Sequence, residues 1–175
     1  TDVSRFVPAS MKLLEITKLP ENFLNSPEKT KSLLVLLAGA TAMTLANLGA
    51  WSMPLLTGTL IDRFGFSELD AGILISVEML AMATASLLTA LLLPLLTLRL
   101  IAIVGVLIAA SGHAATAEFQ SLFSMGMCRA VSGFGEGMLY ASGCATIARL
   151  GNADRAFAIA MIIQGLVAAL MLSVL

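Results

Sequence analysis

The sequence predicts an all-α membrane protein, a multi-pass bundle of transmembrane helices. Three observations carry that prediction. Of the 175 residues, 58% are hydrophobic and only 12% charged, about half the charge of an ordinary soluble domain at ~25%. The charges that exist are gathered between long apolar windows rather than spread along the chain. The connectors between those windows are a few residues long, which forces consecutive helices to run antiparallel. A soluble fold of this size lacks the polar side chains to cover such a surface. The formal net charge of −1 supplies no basic excess for nucleic acid.

Five windows reach the ~17–25 residues that cross a ~30 Å hydrocarbon core. Residues 33–61 hold no charge, 71–98 hold Glu78 alone, and 100–117 hold only His113 as a titratable group. Residues 119–148 hold Arg129 and Glu136, and 156–175 hold none. The predicted spans therefore lie near 31–61, 68–93, 99–117, 121–148 and 154–175. Strands of a membrane barrel would be shorter and would alternate in polarity. The starts of the spans carry capping chemistry: Ser26-Pro27-Glu28, Ser67-Glu68-Leu69-Asp70 and Asn152-Ala153-Asp154. Pro54 lies inside the first window and is expected to kink it by freeing the carbonyl of Ala50. Residues 1–30 are more polar and read as a cytoplasmic lead-in without the pattern of a signal peptide.

With the N-terminus in the cytoplasm, eight of the ten Lys and Arg residues fall inside, Arg63 outside and Arg129 within the membrane. That bias predicts the orientation, in the plasma (inner) membrane. The bundle, residues 31–175, is expected to be truncated from a longer chain, since it stops within an apolar run. Ile61-Asp62-Arg63-Phe64-Gly65 and Ile147-Ala148-Arg149-Leu150-Gly151 are related at an offset of 86 residues, which also sets Glu78 opposite Gln164. The first pentapeptide follows an outward span and the second an inward one, so the two units would form three-helix inverted repeats of the kind secondary transporters use.

The fourth span is the most informative. Gly126, Gly133 and Gly137 lie on a stripe of small residues at spacings of three and four, where a partner helix can press closely. Arg129 and Glu136 are seven residues apart, on nearly one face, and Tyr140 continues it. Charges at this depth cost at least ~2.5–3.5 kcal/mol on insertion scales and must face the bundle or a wet cavity. Glu78, near the middle of the second span, is the other carboxyl available to Arg129 and a candidate proton carrier. Asn47 and Trp51, four residues apart in the first span, offer an amide and an indole to a substrate. His113, near the end of the third span, reads as an interfacial hydrogen-bonding residue. Cys128 and Cys144, roughly 24 Å apart along a helix, cannot bridge. No Walker loop, H-E-x-x-H, C-x-x-C or nucleophile elbow is present, so neither cofactor nor metal is expected.

The run Arg129-Ala130-Val131-Ser132-Gly133-Phe134-Gly135-Glu136-Gly137 resembles the helix 4 motif of the major facilitator superfamily. Gly65-Phe66-Ser67-Glu68-Leu69-Asp70-Ala71-Gly72 is similar to the start of that family's second helix, Asp154-Arg155-Ala156 to the start of its fifth, and Pro54 to a proline common in its first. The loop between the second and third spans departs from the family pattern, keeping Arg99 but no Asp or Gly. The resemblance implies most of the N-terminal half of a twelve-helix secondary transporter, whose helices 1, 2, 4 and 5 line a central cavity. It ranks Asn47, Trp51, Glu78, Arg129, Glu136, Tyr140 and Gln164 above His113 as substrate or proton pathway. The expected function is alternating-access transport of a small solute, coupled to protons, with the bilayer and the remainder of the chain as partners and no nucleic acid. The alternatives are a non-transporting membrane scaffold subunit and a membrane-embedded enzyme; one His is too few for the latter, so no enzymatic activity is expected.

Overall fold

A computed structural model describes residues 27–174. Most of the lead-in, and Ser26 of the first cap, lie outside the described residues. Six α-helices follow in order: α1 (Pro27–Trp51), α2 (Met53–Phe64), α3 (Glu68–Leu92), α4 (Leu98–Thr116), α5 (Leu122–Ile147) and α6 (Ala153–Val174). The described residues contain no strand. The bundle proper is the unit that begins at Val35; the turns of α1 up to Leu34 belong to a separate unit.

The first window is two helices with a joint at Ser52. Pro54 has no N–H to give to Ala50. The neighbouring acceptors are served by Ser52: its N–H reaches the carbonyls of Leu48 and Gly49, both at 3.1 Å, and its hydroxyl donates to Gly49 O at 2.7 Å. The backbone at Ser52 stays near helical (φ −81°, ψ −5°), and the apolar helical stretch Glu28–Phe64 counts 37 residues. That is about 55 Å of helix, well beyond the hydrocarbon core.

Capping residues set the other boundaries. Ser67 and Asp70 form a complete capping box at the start of α3. Thr97 and Ser121 accept backbone N–H groups at the starts of α4 and α5, and Asn152 accepts from Arg155 N at 3.2 Å before α6. Gly65 ends α2 in the left-handed conformation (φ 67°), with its N–H on Ile61 O and that of Phe66 on Leu60 O. A Cβ would be strained there. Gly65 is the one glycine with positive φ among the described residues, so Gly151 closes its turn differently, and the two related pentapeptides do not end alike.

Four helices among the described residues are long and apolar enough to cross a membrane: Glu28–Phe64, Glu68–Leu92, Leu98–Thr116 and Ala153–Ser173. The remaining expected span, near 121–148, falls on α5 (Leu122–Ile147) and is not among these four. The exception is α5, which has 26 residues and ample length, but whose Ser, Gly, Arg and Glu residues lower its hydropathy. Its position explains the composition. It packs along α3 on one side and α4 on the other, so much of its surface meets helix rather than lipid. The outward faces of its neighbours are strongly apolar: Leu80, Leu87, Leu91, Leu107, Ile162 and Leu170 are each more than 60% exposed. Six such leucines and isoleucines in water would be a liability, and in acyl chains they are ordinary.

Two apolar clusters grip α5 near its ends. Near its start Met125 packs with Leu60 of α2 and Ala71 and Leu74 of α3. Near its finish Ile147 packs with Ala40 and Met43 of α1 and Ala156 and Ala160 of α6. The charged residues of α5 lie between the two.

Candidate functional site

Arg129, Ser132 and Glu136 follow one another at spacings of three and four along α5, which puts them on one face of the helix. Glycines bring the neighbouring helices to that face. A Cβ at Gly133 would strike the carbonyl oxygen of Glu78, and one at Gly137 the carbonyl oxygen of Met82 and, at 2.8 Å, Ala85 Cβ. Backbone contact of this kind sets α3 directly against α5. On the opposite side a Cβ at Gly112 would meet Ser132 Cα at 2.8 Å and Cys128 O at 2.9 Å, and one at Gly135 would meet Gly105 O at 2.6 Å. That contact delivers His113, the neighbour of Gly112. From α1, Gly49 closes over Glu136 Oε1, with His113 Cε1 3.3 Å from where its Cβ would be. At Gly126, by contrast, a methyl group would find only Leu74 Cδ2 at an ordinary 3.7 Å, so close approach is concentrated further along α5.

Two couples result. Arg129 Nη1 donates to both carboxylate oxygens of Glu78, at 3.1 and 3.0 Å. Both residues are buried, Glu78 completely. The Ser132 hydroxyl lies 3.1 Å from Glu78 Oε1 and 3.0 Å from Arg129 O, and its single proton serves one of them at a time. The second couple is His113 Nε2 with Glu136 Oε1 at 2.9 Å. Glu136 is 1% exposed, and its Oε2 is buried with no hydrogen-bond partner among the described residues. Donor atoms of Glu78, His113 and Glu136 all lie within 4.8 Å of one another. Such an arrangement can hold a cation, exchange a proton, or make and break an ion pair as helices move.

A cavity of about 200 Å³ adjoins the cluster where α2 and α4 end and α5 begins. Its walls are mainly apolar, from Leu56, Leu60, Phe64, Leu74 and Met125, with Thr59, His113, Thr116 and Arg129 as polar points. His113 has a side chain 36% exposed and joins the buried carboxyls to this space.

The other pathway residues lie elsewhere. Asn47 donates through Nδ2 to Gln164 Oε1 and to Met43 O, each at 2.9 Å, and so ties α1 to α6. Tyr140, one turn beyond Glu136 on α5, packs with Cys144 against the apolar cluster around Ile147. Trp51 is half-buried at the last position of α1. Both cysteines are free. Arg129 and Glu136, which share a face, are not each other's partners.

His113, which the sequence ranks below the other pathway residues, is brought by this packing to 2.9 Å from Glu136. Its signal was present as Gly105, Ala109 and Gly112, a small-residue stripe at spacings of four and three on α4. That stripe marks a second close contact, and His113 stands beside it. No family model matches the chain, and no curated protein and no solved structure matches it.

Proposed function

We propose that these helices belong to a secondary transporter that moves a small solute across a membrane by alternating access, with a proton gradient as the driving force. In this reading α5 is a fifth span, the N-terminus is cytoplasmic in the plasma (inner) membrane, and the helices form part of a twelve-helix carrier built of inverted repeats. The sequence resemblance to the major facilitator superfamily supplies that architecture. The observation that carries the reading is the buried Arg129–Glu78 pair between α3 and α5, beside a second buried carboxylate. Removing ionised groups from water costs several kcal/mol per ion. Hydrophobic residues would hold two helices together at least as well. An ion pair differs in being separable by a small helix displacement, which suits helices that must exchange partners during a transport cycle.

The test is uptake by the full-length protein in inverted or right-side-out vesicles, screened over small metabolites with and without a protonophore. Protonophore-sensitive accumulation that Arg129→Ala abolishes, with the protein still present in the membrane, is the expected result. Wild-type uptake by the Arg129→Ala protein refutes the proposed mechanism. Failure of every solute in the screen, with or without a gradient, favours a scaffold role.

A further inference from the structure

The donors around Glu136 have a consequence that is independent of transport. Glu78 on α3, His113 on α4 and Glu136 on α5 bring one ligand atom each to within 4.8 Å of the others. His113 Nε2 and Glu136 Oε1 are already 2.9 Å apart, close to the separation of adjacent ligands around a metal bound at about 2.0–2.2 Å. A turn of the Glu78 carboxyl toward the other two donors would complete a three-ligand set. Glu78 keeps Arg129 while doing so, because a carboxylate has about four acceptor positions.

Charge and burial favour a cation here. Two buried carboxyl groups face one guanidinium, and a bound cation would offset the cost of having both ionised in this medium. Glu136 Oε2 adds a second, independent sign: it is a carboxylate oxygen sealed from solvent, without a partner among the described residues. The donor types select the ion. An imidazole nitrogen with carboxylate oxygens suits Mn²⁺, Fe²⁺, Co²⁺ or Zn²⁺, whereas Mg²⁺ and Ca²⁺ take oxygen alone. The 200 Å³ cavity lined by His113 provides the way in. The sequence pattern predicts no metal because the three donors sit on three different helices, at spacings no motif describes.

We propose that Glu78, His113 and Glu136 form a binding site for a divalent first-row transition metal ion, reached through the cavity at His113. Binding places the metal between His113 Nε2 and Glu136 Oε1, where it replaces the proton that now joins them. Arg129 offsets part of the ligand charge, so the ion is held reversibly rather than as a permanent structural metal.

Titration of the purified chain with Co²⁺ tests this. The protein carries Ser at positions 128 and 144, to remove thiol ligands, and no polyhistidine tag. A visible d–d absorption saturating at one Co²⁺ per chain is expected, displaced by Zn²⁺ and unaffected by Mg²⁺. His113→Gln and Glu136→Gln should each weaken binding by at least about tenfold, the scale on which even supporting groups act at metal sites. Because His113 is the sole histidine, the protein labelled with ¹⁵N-histidine has one imidazole signal. Paramagnetic Co²⁺ must shift or broaden it, a readout that needs no variant at these residues to fold. Folded protein with no saturable absorption, or with an imidazole signal indifferent to Co²⁺, overturns the proposal and leaves a cluster that takes protons only. These are equilibrium measurements, so their failure is separate from failure of the transport reading.

Discussion

Arg129 holds Glu78 through a single nitrogen: Nη1 alone donates to Oε1 and Oε2. This is not the parallel two-nitrogen fork through which arginine usually grips a carboxylate. What the contact requires is a charge at one point, more than the planar shape of the guanidinium. Arg129→Ala strands a buried carboxylate and should lower stability by about 3–5 kcal/mol. Arg129→Lys, which restores a point charge, should recover at least half of that loss. Thermal unfolding in detergent of the two variants measures the difference, and equal losses contradict the single-nitrogen account.

The pair should also behave as a unit. Glu78→Gln alone leaves a buried guanidinium, and Arg129→Gln alone a buried carboxylate, whereas the double variant leaves neither. The double variant is expected to be more stable than Arg129→Gln by at least about 1 kcal/mol, an order that only coupled, non-additive losses can give. Additive losses would mean that the two side chains do not sense each other.

Glycine positions on α5 should divide by what lies opposite. Gly133→Ala and Gly137→Ala push a methyl group into the backbone of α3, and each should cost about 1–3 kcal/mol. Gly126→Ala meets only ordinary contact, and replacing glycine within a helix favours it by roughly 0.5–1 kcal/mol. The expected order of melting temperature is Gly126→Ala highest, wild type next, the other two lowest.

Asn47 and Gln164 bind α1 to α6 through one amide contact. Gln164→Leu should leave the Asn47 amide one acceptor short and cost about 1–3 kcal/mol. Crosslinking of Cys pairs placed on α1 and α6 should become less efficient in that variant, if the amide contact is what holds their spacing.

For topology, cysteines introduced singly at positions 66 and 151, with Cys128 and Cys144 replaced, should label from opposite sides of the membrane. Position 66 is expected outside, because the Lys and Arg residues concentrate on the other side. Labelling of position 66 only after lysis reverses the assignment.

Local chemistry made much of this fold readable. Ser67 with Asp70, and Asn152, announce helix starts because caps are built from residues within three positions of each other. Glu78 and Arg129 were recognisable as buried because an isolated charge in an apolar window has few other destinations. The pairing of Glu136 with His113 was less accessible. It depends on which helices are neighbours around α5, and helix adjacency is a property of the whole packing. For Tyr140, spacing gives its place one turn beyond Glu136, but its apolar neighbours around Ile147 come from α1 and α6 and depend on the whole packing. The polarity of α5 was visible too, but its meaning required knowing that other helices surround it.

The joint at Ser52 divides one long rod into two levers with different loads. Above it, α1 is tied to α6 through Asn47 and Met43; below it, α2 leans on α3 and the start of α5 through Leu60. Pro54 has already removed one rung of the ladder at that point, so flexing there sacrifices less hydrogen bonding than flexing anywhere else along the rod. Because Leu56, Thr59, Leu60 and Phe64 of α2 line the space beside His113, the direction in which α2 leaves this joint sets the width of that space.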